Sequence, residues 1–346
     1  MRAIIPVAGQ GTRLRPHTHT APKVLLHVAG KPMLGHILDE LVAVGVRQAT
    51  FVVGYLGEMI RDYVQAGYPQ IESRYVEQEE TLGLGHAIWC ARATVARPDE
   101  PVLIVLGDTL FRADLRPVMQ ADVSMIGVKE VAEPRRFGIV ELEGGYIRGL
   151  VEKPEQPKTN LAMVGLYYVM QSGLLFECLD ANIRQGKKTA GEFQLTDAFA
   201  DMLQRGVKMR AFTVEGWYDC GKPETLLATN RTLLALKHSD SAPEYVRRFP
   251  DSIFNAPVYI APTAVVENSI VGPHVAAADG SVIRNSIISN SILSSYASVQ
   301  NMILTESIVS DRARIEGKYY RLNVGDSSEI SFGPISGHNT GSDGMP

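Results

Sequence analysis

This chain of 346 residues carries only three cysteines, two tryptophans, an aromatic share of 7% and only a small surplus of negative charge. Cys90, Cys178 and Cys220 stand far apart with no Cys-x-x-Cys pair, which excludes a disulfide framework and a cysteine zinc site. The formal net charge is −4 and no block of lysine or arginine occurs, so neither nucleic acid nor a membrane surface is an expected partner. No apolar run approaches the length of a bilayer span, and the first residues already read as a core strand, leaving no room for a signal peptide. A cytoplasmic protein is expected. A Gly-Lys-Ser/Thr triplet is also missing, which excludes a P-loop, and Leu14 stands where a dinucleotide fingerprint needs its third glycine.

What is present is a core of ample size, with 45% hydrophobic residues. Apolar runs at 3–7, 49–53, 71–76, 102–106 and 123–128 read as strands, and 33–44, 57–66 and 85–95 as helices. Their alternation predicts an α/β fold, a Rossmann-like, mostly parallel sheet with helices on both faces. That domain is expected over 1–236, with a polar linker at 237–250. A repeat of 16 to 17 residues then begins with Asp251-Ser252-Ile253, Asn268-Ser269-Ile270, Asn285-Ser286-Ile287 and Asn301-Met302-Ile303. Short β-branched steps inside each unit predict a parallel β-helix of triangular coils over 251–335. Residues 336–346 are Gly- and Ser-rich and are expected to be disordered.

The densest chemistry lies just after the first strand. Gly9 and Gly11 allow a sharp turn with exposed N–H groups, and Arg13 and Lys23 follow closely, a combination suited to a polyphosphate. Gly9-x-Gly11-Thr12-Arg13-Leu14-x-Pro16, Pro22-Lys23-x-Leu25 and Gly30-Lys31-Pro32-Met33 together resemble the signature of sugar-1-phosphate nucleotidylyltransferases. The resemblance covers roughly the first 235 residues, with Gln10 a modest departure where the family has a small residue. It is closest to the glucose-1-phosphate thymidylyl and uridylyl enzymes, and the repeats resemble the left-handed β-helix that many of them carry.

The resemblance assigns roles residue by residue. Ala8, Gly9, Gly11, Thr12 and Arg13 would hold the triphosphate, and Lys23 the α-phosphate and leaving group. Gln78 and Gly83, within Gln78-Glu79-Glu80-Thr81-Leu82-Gly83-Leu84-Gly85-His86, would meet the base, while His86 reads as structural. Asp108, at the end of Leu103-Ile104-Val105-Leu106-Gly107-Asp108, and Asp219 would be the ligands of Mg²⁺. Gly138, Glu152, Lys153 and Gly165 would hold the sugar phosphate, Lys153 positioning the nucleophile. Ala190 replaces a basic residue often found before the Gly191-Glu192 pair, with Lys187 or Lys188 as a substitute cation. Read alone, the same features are a glycine turn, a surface glutamine and a Gly-Asp turn. The set implies Mg²⁺-dependent transfer from UTP or dTTP to a sugar-1-phosphate, in a homo-oligomer. Three other functions fit parts of it: a mannose-1-phosphate guanylyltransferase, a bifunctional enzyme with acyl transfer on the β-helix, and a non-catalytic nucleotide-sugar sensor.

Overall fold

The computed structural model describes residues 1–318. Its centre is β1 (Arg2–Pro6), whose Ala3 and Ile5 enter one apolar cluster and Ile4 the other. Period-2 alternation in a strand with both faces covered sends successive side chains into two cores. Parallel to β1 lie β2 (Gln48–Val53) on one side and β4 (Val102–Val105) on the other, with β3 (Glu72–Glu77) outside β2. Helices α1 (Met33–Ala43), α2 (Gly57–Gly67) and α3 (Leu84–Cys90) connect or flank these strands.

The far half of the sheet is antiparallel. A short strand β5 (Thr109–Arg112) follows β4 and lies outside the main sheet. Then β6 (Ser124–Glu130), β7 (Gly138–Glu143), β8 (Tyr146–Glu152) and β9 (Leu161–Val169) follow, with β9 antiparallel to β4, β6 and β7. Adding β10 (Met209–Thr213), parallel to β6, completes nine strands with the main order β8-β7-β9-β4-β1-β2-β3. Helices α4 (Ser172–Arg184) and α5 (Leu195–Gln204) cover the face on which α3 packs. The mixed sheet with helices on both faces agrees with the sequence reading, and its helices differ by small end shifts. Residues 91–94 tighten into a 3-10 turn rather than continuing α3.

Strand β11 (Gly216–Asp219) pairs antiparallel with β5, and α6 (Pro223–Lys237) follows. The stretch 237–250 contains a further helix, α7 (Ala242–Arg248). Its Tyr245 is buried against Phe254, and Tyr245 Oη accepts from the Ile260 amide. Arg248 donates to the carbonyls of Ala261, Pro262 and Ala264. A polar sequence thus becomes the cap that the first open coil of a repeat array requires.

From Ile253 the chain winds through twelve short strands that stack as three sheets of four, all parallel, as in a left-handed β-helix. In one sheet Ile253, Ile270, Ile287 and Ile303 stand in register, which is the repeat seen in the sequence. The Asn-Ser-Ile pattern has a physical cause. Asn268, Asn285 and Asn301 take the left-handed corner, with φ of 46°, 47° and 58°, a region asparagine tolerates. The buried serines then form a ladder: Ser252 Oγ accepts from the Ser269 amide and Ser269 Oγ from the Ser286 amide, each at 3.1 Å. Residues 319–335 of the expected repeat region, and the expected tail at 336–346, lie outside the described residues.

The β-helix packs against the end of the signature segment. Tyr259 fills the space beside Gly30, and His17 Nδ1 meets Ser310 Oγ. Asn230 of α6, fully buried, ties both sides: its Oδ1 accepts from the Ala29 amide at 2.9 Å, and its Nδ2 donates to the His274 carbonyl at 3.2 Å. Asn230→Leu would leave a buried donor and acceptor without partners, so unfolding stability should fall by about 1–3 kcal/mol per lost group. Urea titration followed by circular dichroism checks it, an unchanged midpoint refuting the role.

Candidate functional site

The ends of β1 and β4 open into a cleft of about 390 Å³, lined among others by Ala8, Gly9, Lys23, Gln78, Gly83, Asp108 and Glu192. Parallel strands deliver their carboxyl ends to one edge, where the turns can face a ligand. Six residues chosen from the sequence therefore meet here although they are spread over 100 positions. Thr81 and Glu192 share the lining and had no individual signal in the sequence, although Glu192 belongs to a noted Gly-Glu pair.

Gly11 shapes the loop. Its φ is +62°, and an added Cβ would stand 2.9 Å from Lys23 Cβ. Thr18 Oγ1 donates to its carbonyl at 2.9 Å, while Leu14 is fully buried and anchors the short turn that carries Thr12 and Arg13. Lys23 is 8% exposed, and its Nζ donates to Asp108 Oδ2 at 2.7 Å.

Asp219 reaches the same region through pairing, being opposite Thr109 in the β5–β11 ribbon. Burial pushes the Cys220 thiol up to about 12, keeping it neutral and unreactive, and the charges of Lys23, Asp219 and Asp108 all act on it. Asp219 Oδ1 accepts from the Gly221 amide at 2.8 Å, and a Cβ on Gly221 would stand 3.4 Å from an Arg13 guanidinium nitrogen. Arg13 thus lies beside Asp219 rather than in the cleft lining. Asp108 Oδ1 and Asp219 Oδ2 are the carboxylate oxygens not engaged in these bonds. Two hard carboxylates with one such oxygen each suit a divalent ion that keeps water and phosphate ligands, as magnesium does. Among the described residues no cluster of three or more His, Cys, Asp or Glu groups forms a complete protein cage.

A second group forms around Glu152. Thr196 Oγ1 donates to Glu152 Oε2 at 2.6 Å, and Lys153 Nζ lies 3.7 Å from Glu152 Oε1. Gly138 is the register partner of Glu152, and a Cβ there would stand 2.9 Å from Glu152 Oε2. Gly165 has φ +85° at an irregularity of β9 and presses on Leu106, which lines the cleft. Burial raises the Tyr167 hydroxyl pKa, with further raising by the charges of Glu152 and Asp108. Thr196 is the member the sequence reading passed over, although it sits in the noted Leu195-Thr196-Asp197 run.

The loop that follows β3 is strapped to residues 192–194. Phe193 N donates to the Leu82 carbonyl and Gly85 N to the Phe193 carbonyl, at 2.9 and 2.8 Å. Gln78 Nε2 donates to the Gly83 carbonyl at 3.2 Å and meets His86 Nδ1 at 3.1 Å. Near Ala190, Lys187 is spent on Asp201 through contacts of 2.7 and 3.0 Å, whereas Lys188 lies over the Phe193 ring at 5.0 Å. Of the two candidate substitutes for a basic residue at 190, only Lys188 has its ammonium near the strap.

Residues 2–235 match the nucleotidyl transferase family. The UTP–glucose-1-phosphate uridylyltransferase AglF of Haloferax volcanii is 34% identical over 65% of this chain and 93% of its own length. The glucose-1-phosphate thymidylyltransferase of Streptomyces antibioticus is 33% identical over 68% of this chain, and the match spans 66% of that relative. A solved apo UDP-glucose pyrophosphorylase superposes with a TM-score of 0.61 at 26% identity, covering 68% of this chain and 98% of that one.

Gly83 has φ 112° and ψ 175°, a conformation open almost only to glycine, and a Cβ would stand 2.7 Å from the Phe193 carbonyl oxygen. Gly83→Ala should therefore lower stability by about 1–3 kcal/mol. A shift in the denaturation midpoint reads this directly, and none would mean the loop adapts without cost.

Proposed function

Because the chain belongs to the nucleotidyl transferase family, we propose that it makes a UDP- or dTDP-sugar from UTP or dTTP and a sugar-1-phosphate, glucose-1-phosphate first. The observation that carries this reading is the cleft itself, where the glycine loop, the Lys23–Asp108 pair and the Gln78/Gly83 turn converge. In the reaction, a sugar-phosphate oxygen bonds to the α-phosphorus of the triphosphate. The bond from that phosphorus to the bridging oxygen breaks, and pyrophosphate leaves with the electron pair.

Both reactants are anions, so the protein must lower repulsion and align attack rather than supply a nucleophile. The backbone amides around Ala8, Gly9, Gly11 and Thr12, with Arg13, hold the β- and γ-phosphates. Lys23 accompanies charge onto the departing group. Glu152 accepts from sugar hydroxyls with its carboxylate held by Thr196, and Lys153 orients the attacking phosphate. Asp108 and Asp219 would hold Mg²⁺, which when bound supplies Lewis-acid polarisation at the α-phosphate. A phosphate oxygen is already ionised at neutral pH, so no general base is needed.

The acyl-transfer alternative finds no support in the β-helix. Its one described histidine, His274, stands at a corner with φ 61°, its carbonyl held by Asn230. Assembly belongs to the same proposal: Ile253, Ile287 and Ile303 expose 58%, 45% and 78% of their surface along one uncharged face, which a second copy would cover. Among the described residues no helix is long and apolar enough to cross a membrane, and a cytoplasmic setting goes with nucleotide substrates.

A matrix of nucleoside triphosphates against sugar-1-phosphates, read by pyrophosphate release, should show Mg²⁺-dependent turnover with UTP or dTTP and glucose-1-phosphate. Turnover confined to GTP and mannose-1-phosphate would hand the reading to the guanylyl alternative. Asp108→Asn and Asp219→Asn should each lower kcat by about a hundredfold or more while preserving the fold. Arg13→Ala should raise KM chiefly for the triphosphate and Lys153→Ala chiefly for the sugar phosphate. Equal effects on both constants would mean that one cation is misassigned.

A further inference from the structure

Gln78 is 6% exposed, and both hydrogens of its amide nitrogen have partners. One goes to the Gly83 carbonyl at 3.2 Å, a group that can only accept, which fixes which end of the amide is nitrogen. The other faces His86 Nδ1 at 3.1 Å, and this contact is a bond only if that ring nitrogen carries no proton. Because the Gly83 carbonyl fixes the nitrogen end of the amide, the 3.1 Å contact assigns Nδ1 as the accepting, unprotonated ring nitrogen. Burial lowers the His86 pKa, partly offset by the charge of Glu80, with a lesser lowering by Arg92. The ring is held in place by stacking on Trp89 at 5.7 Å, whose Nε1 donates to Asp180 at 3.3 Å.

We propose that His86 is a positioning residue that locks the Gln78 amide with its oxygen as the only free group, so that the cleft selects bases presenting an imino N–H. The proposal rests on the nucleotide reading of the cleft. Its chemistry is specific. Uracil and thymine present N3–H and guanine presents N1–H, each a donor to Gln78 Oε1. Cytosine N3 and adenine N1 carry lone pairs there, so two acceptors would confront each other. A glutamine free to rotate by 180° would serve either set. One held by an acceptor-only carbonyl and an unprotonated ring nitrogen cannot, and a buried group left facing the wrong partner rejects it strongly.

The test compares kcat/KM for UTP, dTTP and CTP in the wild type, His86→Leu, His86→Asn, Gln78→Ala and the double variant His86→Leu/Gln78→Ala. Equilibrium binding of UTP and CTP is measured alongside. His86→Leu removes the acceptor, so the UTP-to-CTP ratio should fall by about tenfold or more, through KM and binding rather than kcat. His86→Asn places an amide oxygen near the former Nδ1 and should restore most of the ratio. In the Gln78→Ala background, His86→Leu should leave the ratio unchanged, because His86 acts only through that amide. An unaltered ratio in His86→Leu would overturn the proposal. So would equal losses in the Leu and Asn variants, or a further loss in the double variant. If the wild type turns over no triphosphate, the transfer reading fails, while the binding ratios still decide the role of His86. Should His86→Leu not fold, the Asn variant and the Gln78→Ala ratio carry the decision. A wild-type ratio kept by Gln78→Ala would refute it.

Discussion

A lysine ammonium withdrawn from water needs an anion beside it, and Lys23 finds that anion in Asp108 at 2.7 Å. The pair joins the signature segment to the end of β4, two parts of the chain 85 residues apart. Everything else in the cleft is arranged around this link. Gly11 lacks a side chain because Lys23 passes directly behind it, and Gly107 packs against the β1 end, where Val7 stands 2.4 Å from the place of its missing Cβ. Asp219 reaches the same neighbourhood only because β11 pairs with the strand that follows Asp108.

If the substrates are the two phosphorylated molecules proposed above, a chain of net charge −4 cannot attract them by a broad positive field. Single cations would then have to meet the phosphates one by one, and the cations assigned to them stand on separate elements. Arg13 rides on a turn anchored by Leu14, Lys23 lies nearly buried, and Lys153 sits at φ 44° immediately after the Glu152 strand. Such positioning explains the number of close glycine contacts. Gly83, Gly138, Gly165 and Gly221 each stand where a side chain would meet a cleft residue or its support.

The sequence made some of this plain and hid the rest, for identifiable reasons. The strand–helix alternation and the 16-to-17-residue repeat were readable because burial imposes a period, and the Asn-Ser-Ile units record a left-handed corner and a serine ladder. Ala8, Gly9, Lys23, Gln78, Gly83 and Asp108 were readable as a set because the loop, cations and carboxylate recur in a family pattern. What stayed hidden depends on contacts between distant segments. Nothing in residues 237–250 announces that Tyr245 and Arg248 close the first coil, since a polar helix and a linker look alike by composition. Thr196 reaches Glu152 from a helix 44 residues further on, and Glu192 enters the cleft lining on a strap that meets the loop after β3 over 100 residues away. The partnership of His86 with Gln78 spans only eight residues, yet it needs the bend at Gly83 to bring the ring back to the amide.

The seam between the two halves of the chain has a consequence for how each senses the other. Residues 17 to 30 lie between the cleft and the β-helix, with Lys23 directed to Asp108, His17 to Ser310 and Gly30 to Tyr259. If contacts on both sides order this segment together, the two sides are coupled, and thermodynamic reciprocity then applies. Whatever ligand tightens the loop on the cleft side must strengthen docking of the repeats by the same amount that docked repeats strengthen its binding. On that condition the described coils, none of whose residues lines the cleft, would stiffen the segment and add to the affinity of the site.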